Sequence, residues 1–394
     1  MAYRFTAWTG MSQRPNKIFI SAGEASGDLH AAAVIRAIQE TNPQLDFFGV
    51  SGPAMDKSGC IAIHPMNELN VMGIGDVIRA LPRIRRVEAS LCEWVEINQP
   101  DVAILVDFSS FHMRLGKKLR QMGVPVIHYI APKLWAWGGW RSNKLKNSQD
   151  LLASILPFEV EWFKKRGIKA HYVGNPSVIA CRGGWSRDDL NQQLGLNKDD
   201  FLLALLPGSR PGELLRHTQL LADVNERLKA EFPHLKVVTT RAPGVTDEQL
   251  KPLIDSGVQL VDRMIDGYAM RADAAVAVSG TATLELALWD VPTVLVYRGS
   301  AGMVWMARRL AQIKCAGLAN ILLGDQSVMP ELIQEDATVE NVVNALIPII
   351  SGSAAEVQRH KFSELRTLLG EQNPAEGVAK LTMELIEKRK ISHP

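Results

Sequence analysis

Cysteine is scarce in this chain. The 4 residues, Cys60, Cys92, Cys181 and Cys315, include no CxxC pair and have no histidine cluster beside them. That spacing excludes a disulfide frame and a zinc site, and it suits reduced, buried thiols in a cytoplasmic protein. Long apolar runs are missing too: none approaches the roughly 18–20 residues that span a bilayer. The opening MAYRFTAWTGMSQRPN has no apolar stretch of the signal-peptide kind, so no export is expected, and Met11 is an alternative start. Charge of one sign is not in excess. Lys and Arg number 44 against 42 Asp and Glu, a net +2, which argues against a nucleic-acid partner. No strand is followed by G-x-G-x-x-G, since Gly73-Ile74-Gly75 runs on to Ile78, and no G-x-x-x-x-G-K-[ST] occurs. Dinucleotide oxidoreductases and P-loop NTPases are therefore disfavoured. Aromatics make up only 6% of the chain, yet Trp135, Trp137 and Trp140 crowd into HYIAPKLWAWGGWRSNKLK.

What the chain does have is repetition of strand, turn and helix. Its 394 residues, 46% hydrophobic and 22% charged, suit a globular protein of two domains. KIFISAG, FFGVSG, DVAILVDF, VPVIHYIAP, LLASILPF and AHYVGNP are continuous apolar runs separated by helical segments, the pattern of buried parallel strands. A looser region lies within 176–200. The pattern then restarts with FLLALLPG and continues through LKVVTT, AAVAVSG and PTVLVYRG. Leu214, Thr218, Leu221, Val224 and Leu228 mark one helical face. The end is mostly helix, broken at Asn373-Pro374. The expected fold is α/β, with two Rossmann-like domains facing across a cleft. Residues 1–16 are a flexible lead, 17–180 the first domain, 181–372 the second, and 373–394 a last helix.

Ligands of such sheets bind beyond the carboxyl ends of the strands. In LLPGSRPGE, Ser209 and Arg210 follow an apolar strand and open a helix. Backbone N–H groups and a guanidinium there suit a phosphate, although an ordinary turn with a surface arginine reads the same way. In VSGTATLE, Ser279 and Gly280 end a strand, and Thr281 opens a helix that carries Glu285 one turn on. That arrangement suits a diphosphate with a carboxylate for ribose hydroxyls, or else a capped helix. Taken together, the two loops point to a nucleotide diphosphate in the second domain. In the first domain, SAGEASGD offers Glu24 and Asp28 at a strand-to-helix turn, where Asp28 could also cap a helix. Asp107 closes DVAILVDF, and a half-buried acid there suits a general base or an Asx turn. VMGIGDVIRALPRIRR sets Ile74, Val77, Ile78, Leu81 and Ile84 against Arg79, Arg83 and Arg86, with Pro82 expected to break the helix or restart it. The stripe fits a core helix or a membrane interface, where Val71, Ile74 and Ile78 would meet acyl chains and the arginines lipid phosphate.

Six motifs occur in order: AGEASGD (22–28), NVMGI (70–74, holding Met72), WAW (135–137), LLPGSR (205–210), SGTATLE (279–285) and YR (297–298). Their combination resembles the lipid-A-disaccharide synthase family from about Lys17 onward. The resemblance implies a GT-B glycosyltransferase of lipid A biosynthesis that needs no metal or other cofactor and whose last helix, 373–394, returns to the first domain. It implies transfer of 2,3-diacylglucosamine from UDP to the 6-hydroxyl of 2,3-diacylglucosamine 1-phosphate (lipid X), with inversion at the anomeric carbon. It places the enzyme on the cytoplasmic face of the inner membrane and leaves a homodimer open. Carried over residue by residue, Asp107 is the base. Ser209, Arg210, Ser279, Gly280, Thr281, Glu285 and Asn320 hold the UDP-sugar. Glu24, Asp28, Met72, Trp135 and Trp137 lie on the acceptor side. Trp140 matches no element of the family and reads, with Arg141, Lys144 and Lys146 behind it, as a local addition that touches lipid or its phosphate, or as simple packing. The sequence departs from the family after the acid, where D-x-P-D-F-N is here Asp107-Phe108-Ser109-Ser110-Phe111-His112. Asn175 stands where the family has histidine, and Ala131-Pro132-Lys133-Leu134 precedes the first tryptophan. The rivals are another GT-B UDP-sugar enzyme with a different acceptor and a non-catalytic nucleotide-sugar-binding relative.

Overall fold

The computed structural model describes residues 17–392 except 70–73, 183–186, 198–199, 243, 263–270, 301–313 and 325. The apolar runs become two parallel sheets. The first has the order β3-β2-β1-β4-β5-β6-β7, with β1 at Lys17–Ala22, β2 at Asp46–Ser51, β3 at Cys60–Pro65, β4 at Val102–Val106, β5 at Val126–Tyr129, β6 at Leu151–Ser154 and β7 at Ala170–Tyr172. The second has the order β10-β9-β8-β11-β12-β13, with β8 at Phe201–Leu206, β9 at Leu235–Arg241, β10 at Gln259–Asp262, β11 at Ala274–Val278, β12 at Thr293–Tyr297 and β13 at Glu331–Ile333. Every residue of β4 and β11 is buried. Helices cover both faces of a sheet built from βαβ units, so its central strands carry no polar face.

Strand order reverses beside the first strand of each sheet. In the first sheet, β1 lies between β2 and β4, with Ser21 level with Leu105 and Ala22 with Val106. In the second, β8 lies between β9 and β11, with Ala277 level with Leu206. Loops leaving two neighbouring strands toward opposite faces open a crevice at such a point. The loops after β1 and β4 are SAGEASGD and the Asp107 loop. Those after β8 and β11 are the Ser209-Arg210 loop and Ser279-Gly280-Thr281. All four chemistry-bearing loops of the sequence therefore sit at the two switch points.

Two features join the halves. Helix Pro374–Ser392 gives Ala375, Val378, Ala379, Leu381 and Ile386 to the core beneath the first sheet. Arg389 ties it to the turn before β4, donating to the carbonyls of Pro100 (2.7 Å) and Asp101 (3.0 Å). Gly174, at φ +104°, lets the returning chain pass, since a Cβ there would lie 2.2 Å from the carbonyl oxygen of Gln372. The second feature is an apolar cluster shared by both halves. Trp135, Ala136 and Leu156 from the first meet Leu284, Ala287, Leu288, Phe362 and Leu369 from the second.

Helix Ile74–Asn98 corrects one expectation. It continues through Pro82 instead of breaking there. The lost hydrogen bond is outweighed by the buried face that follows, made of Ile84, Val87, Leu91, Trp94 and Val95. Arg83 and Arg86 are exposed on it, as is Leu81, so the supposed apolar face divides between core and surface. Val71 and Met72 lie outside the described residues, as do the side chains of Ile74, Ile78 and Arg79.

Candidate active site

β4 ends at Val106, and the next two residues turn left-handed, Asp107 at φ 50° and Phe108 at φ 46°. Side-chain-bearing residues hold this conformation only where surroundings impose it. Here several contacts do. The Asp107 N–H donates to the carbonyl of Tyr129 on β5 (2.8 Å). The Asp107 carbonyl accepts from Nδ1 of His112 (2.7 Å). The Phe108 ring covers Gly23, where an added Cβ would come within 2.3 Å of Cγ. The glycine thus brings the loops after β1 and β4 into contact. The Asp107 carboxyl is half-buried, and its pKa is raised, first by burial and then by the negative charge of Glu24, with Lys133 partly opposing. Glu24 is exposed beside it.

Asp28 does not share that role. It is buried, and its two oxygens accept from the N–H groups of Gly52 (3.0 Å), Ala54 (2.9 Å) and Met55 (3.0 Å). It caps helix Pro53–Lys57, because its position in helix Ala25–Thr41 turns it toward the end of β2. Trp135 and Trp137 also separate. Trp135 is buried in the shared cluster, its Nε1 donating to Glu159 Oε1 (2.8 Å), and Ser154 Oγ donates to the other oxygen of Glu159. Burial pushes the Glu159 carboxyl up to about 7. Trp137 and Trp140 are exposed, at 53% and 80%. Asn175 caps helix Pro176–Ala180, accepting from the Ser177 N–H (2.9 Å) and donating to the carbonyl of Ile155 (3.0 Å).

On the second sheet, Gly208 (φ +99°) turns the chain after β8 into helix Pro211–Glu231. Two of the backbone donors at this helix start are already taken. The N–H groups of Ser209 and Arg210 both donate to Glu213 Oε2 (3.2 Å each), and Pro211 has no N–H. Glu213 Oε1 accepts from Arg210 Nη1 (2.9 Å). The exposed cation of this loop is the Arg210 guanidinium, whose side chain is 81% exposed. Glutamate three residues into a helix is a capping signal legible in sequence.

Ser279 and Thr281 frame the second loop. Ser279 Oγ donates to the carbonyl of Ala316 (3.0 Å), and Thr281 is exposed at the start of helix Thr281–Leu288. A Cβ on Gly280 would meet nothing closer than 4.0 Å, so the loop surface there is open. Glu285 lies one turn further, and its charge helps raise the neighbouring Cys181 thiol, already lifted by burial, to about 12. Asn320 works at one remove. It is fully buried, bonded to the N–H and carbonyl of Met329 (2.9 Å each) and to Glu331 Oε1 (2.7 Å). Glu331 in turn accepts from the N–H groups of Ala316 (2.7 Å) and Gly317 (2.9 Å), holding the loop that Ser279 leans on.

Residues that sequence reasoning passed over knit the loops of the second sheet together. Buried His217 donates from Nδ1 to the Glu213 carbonyl (2.7 Å) and accepts at Nε2 from the Arg298 N–H (2.8 Å). Arg216 Nε donates to the Arg298 carbonyl (3.0 Å). The YR pair after β12 is thereby locked to the helix that carries Arg210.

Two parallel-sheet Rossmann-like halves, each with its loops at the switch point and joined by a returning helix, define the GT-B class. The fold is similar to that of MurG from Acinetobacter baumannii, with a TM-score of 0.59 at 15% identity, covering 94% of this chain and 99% of that one. It is also similar to UDP-GlcNAc 2-epimerase from Neisseria meningitidis, solved bound to UDP-GlcNAc, with a TM-score of 0.63 at 12% identity, covering 93% and 100%. Within that class, the family profile described as lipid-A-disaccharide synthetase matches residues 18–382. The lipid-A-disaccharide synthase of Myxococcus xanthus (strain DK1622) is 37% identical over 383 residues, 96% of this chain and 99% of its own length. That of Geobacter sulfurreducens (strain ATCC 51573 / DSM 12127 / PCA) is 33% identical over 379 residues, 95% and 98%. The chain belongs to the lipid-A-disaccharide synthetase family.

Proposed function

We propose that the protein transfers 2,3-diacylglucosamine from its UDP carrier to the 6-hydroxyl of lipid X, giving the β-1,6 disaccharide 1-phosphate and UDP. The observation that carries this reading is similarity to synthases of that name along 95% or more of the chain. The geometry supports a direct displacement. Asp107, held at the first switch point with a raised pKa, takes the proton of the acceptor hydroxyl as the sugar carbon is attacked. Negative charge developing on the UDP leaving group meets the Arg210 guanidinium and the start of helix Thr281–Leu288. Gly280 allows close approach, and Glu285 receives ribose hydroxyls. Asp28 and Asn320 shape the site through the backbone. Exposed Trp137 and Trp140, with Arg141, Lys144, Arg83 and Arg86, suit contact with anionic lipid at the cytoplasmic membrane surface. Among the described residues no helix is long and apolar enough to cross a membrane.

The test is UDP release from UDP-2,3-diacylglucosamine with and without lipid X. Release that depends on lipid X, with disaccharide formed, is expected. Release independent of lipid X removes the acceptor assignment, and no release removes the activity.

A further inference from the structure

The Asp107 loop rests on a buried hydrogen-bonded chain that the reaction does not use directly. His112 lies one turn into helix Ser109–Gln121 and has no exposed surface. Its Nδ1 is 2.7 Å from the Asp107 carbonyl oxygen and its Nε2 is 3.0 Å from Ser21 Oγ on β1. Burial pushes the ring down to a pKa of about 4, so it carries a single proton near neutrality. A carbonyl oxygen only accepts, which places that proton on Nδ1. Nε2 must then accept from the Ser21 hydroxyl. The chain has one direction: Ser21 to His112 to the backbone of Asp107. Its far end is the residue at φ 50° whose conformation aims the carboxyl. The ring also packs against Phe108, Phe111 and His128, with centroids 5.9, 5.6 and 6.3 Å away.

We propose that His112 is a positioning residue for the transfer reaction, with Nδ1–H holding the left-handed Asp107 turn so that the carboxyl points at the acceptor hydroxyl. This inference rests on the assignment of Asp107 as base. The part of the ring that matters is specific. Asparagine carries a donor where Nδ1 sits and can keep the bond to Asp107 while losing Ser21. Glutamine reaches the Nε2 position and can keep Ser21 while losing Asp107.

The experiment compares His112→Asn, His112→Gln and His112→Ala in the full-length protein by steady-state UDP release with UDP-2,3-diacylglucosamine and lipid X. Misplacement of a catalytic group by about an ångström costs up to about a hundredfold. H112Q and H112A should therefore lose about ten- to a hundredfold in kcat, with the KM for the UDP-sugar within about twofold of wild type. H112N should keep most of the kcat. If H112A does not fold, the Asn and Gln variants, with cooperative melts, decide the matter. Equal kcat for H112N and H112Q overturns the proposal, as does a loss confined to donor KM. In an Asp107→Ala background, H112Q should cost nothing further; an additive loss shows His112 acting elsewhere and overturns it. An active D107A enzyme fails the base assignment itself, and the inference goes with it. An inactive D107A beside a fully active H112Q keeps the base and removes only the role of His112.

Discussion

The backbone N–H of Arg298 donates to His217 Nε2 over 2.8 Å, while the same ring donates from Nδ1 to the Glu213 carbonyl over 2.7 Å. One neutral imidazole, its pKa lowered by burial, spans the strand end after β12 and the helix of Arg210. His217→Leu fills the space but breaks both bonds. It should raise the Kd for UDP about tenfold, read by calorimetry, and change kcat less than KM for the donor.

Arg210 and Glu213 should give different signatures. Arg210→Ala removes the exposed cation that the proposed mechanism sets against the leaving group, and kcat and UDP affinity should both fall, by about tenfold or more. Glu213→Ala leaves the cation but frees the two N–H groups that it now holds. It should lower stability by about 1 kcal/mol in a denaturant titration, as a lost cap does, and weaken UDP binding through loop disorder.

Asp107→Ala should lower kcat at least about a hundredfold with little change in UDP affinity. Near wild-type turnover would return Asp107 to a turn-forming role.

Glu159 predicts a pH effect. Its carboxyl is raised from 4.5 to about 7 in the folded protein, chiefly by burial. The folded state therefore holds a proton that the unfolded chain gives up. This contribution is complete below about pH 4.5 and is lost as pH rises through about 7. In thermal melts from pH 5 to 8, Glu159→Gln should lose less Tm than wild type as pH increases. Parallel Tm curves would show that the carboxyl stays ionised throughout.

Gly174→Ala puts a methyl against the Gln372 carbonyl at a positive φ. A loss of several kcal/mol, on the order of 2–4, is expected, together with faster amide exchange in helix Pro374–Ser392.

The strands were legible because buried parallel strands are apolar on both faces, and the four loops because each closes such a run. Asp107 stood out as an acid at a strand end. What stayed hidden was the partner of each polar group. Asp28 reads as a cleft carboxylate until the fold brings the Gly52–Met55 turn to it, and Asn320 reads as a ligand contact until Glu331 arrives from β13. His112 and His217 gave little signal, since each bonds a carbonyl in its own helix or turn and a partner 91 or 81 residues away. Glu213 is the exception, as its place three residues after Arg210 announces a cap. Trp135 and Trp137 look equivalent in WAW, but helical positions two apart face nearly opposite ways, one into the shared cluster and the other into solvent.

The returning helix has a consequence for how the protein is made. Synthesis delivers β1 to β7 first, yet the core beneath that sheet lacks Ala375, Val378, Ala379, Leu381 and Ile386 until both sheets have left the ribosome. The cores on the two faces of the second sheet run from Leu190 to Ala355, and neither takes a residue from the last helix. Birth order and order of completion are reversed. A nascent chain halted before Pro374 leaves uncovered the side of helix Ala25–Thr41 that the last helix packs on, a natural landing place for a chaperone.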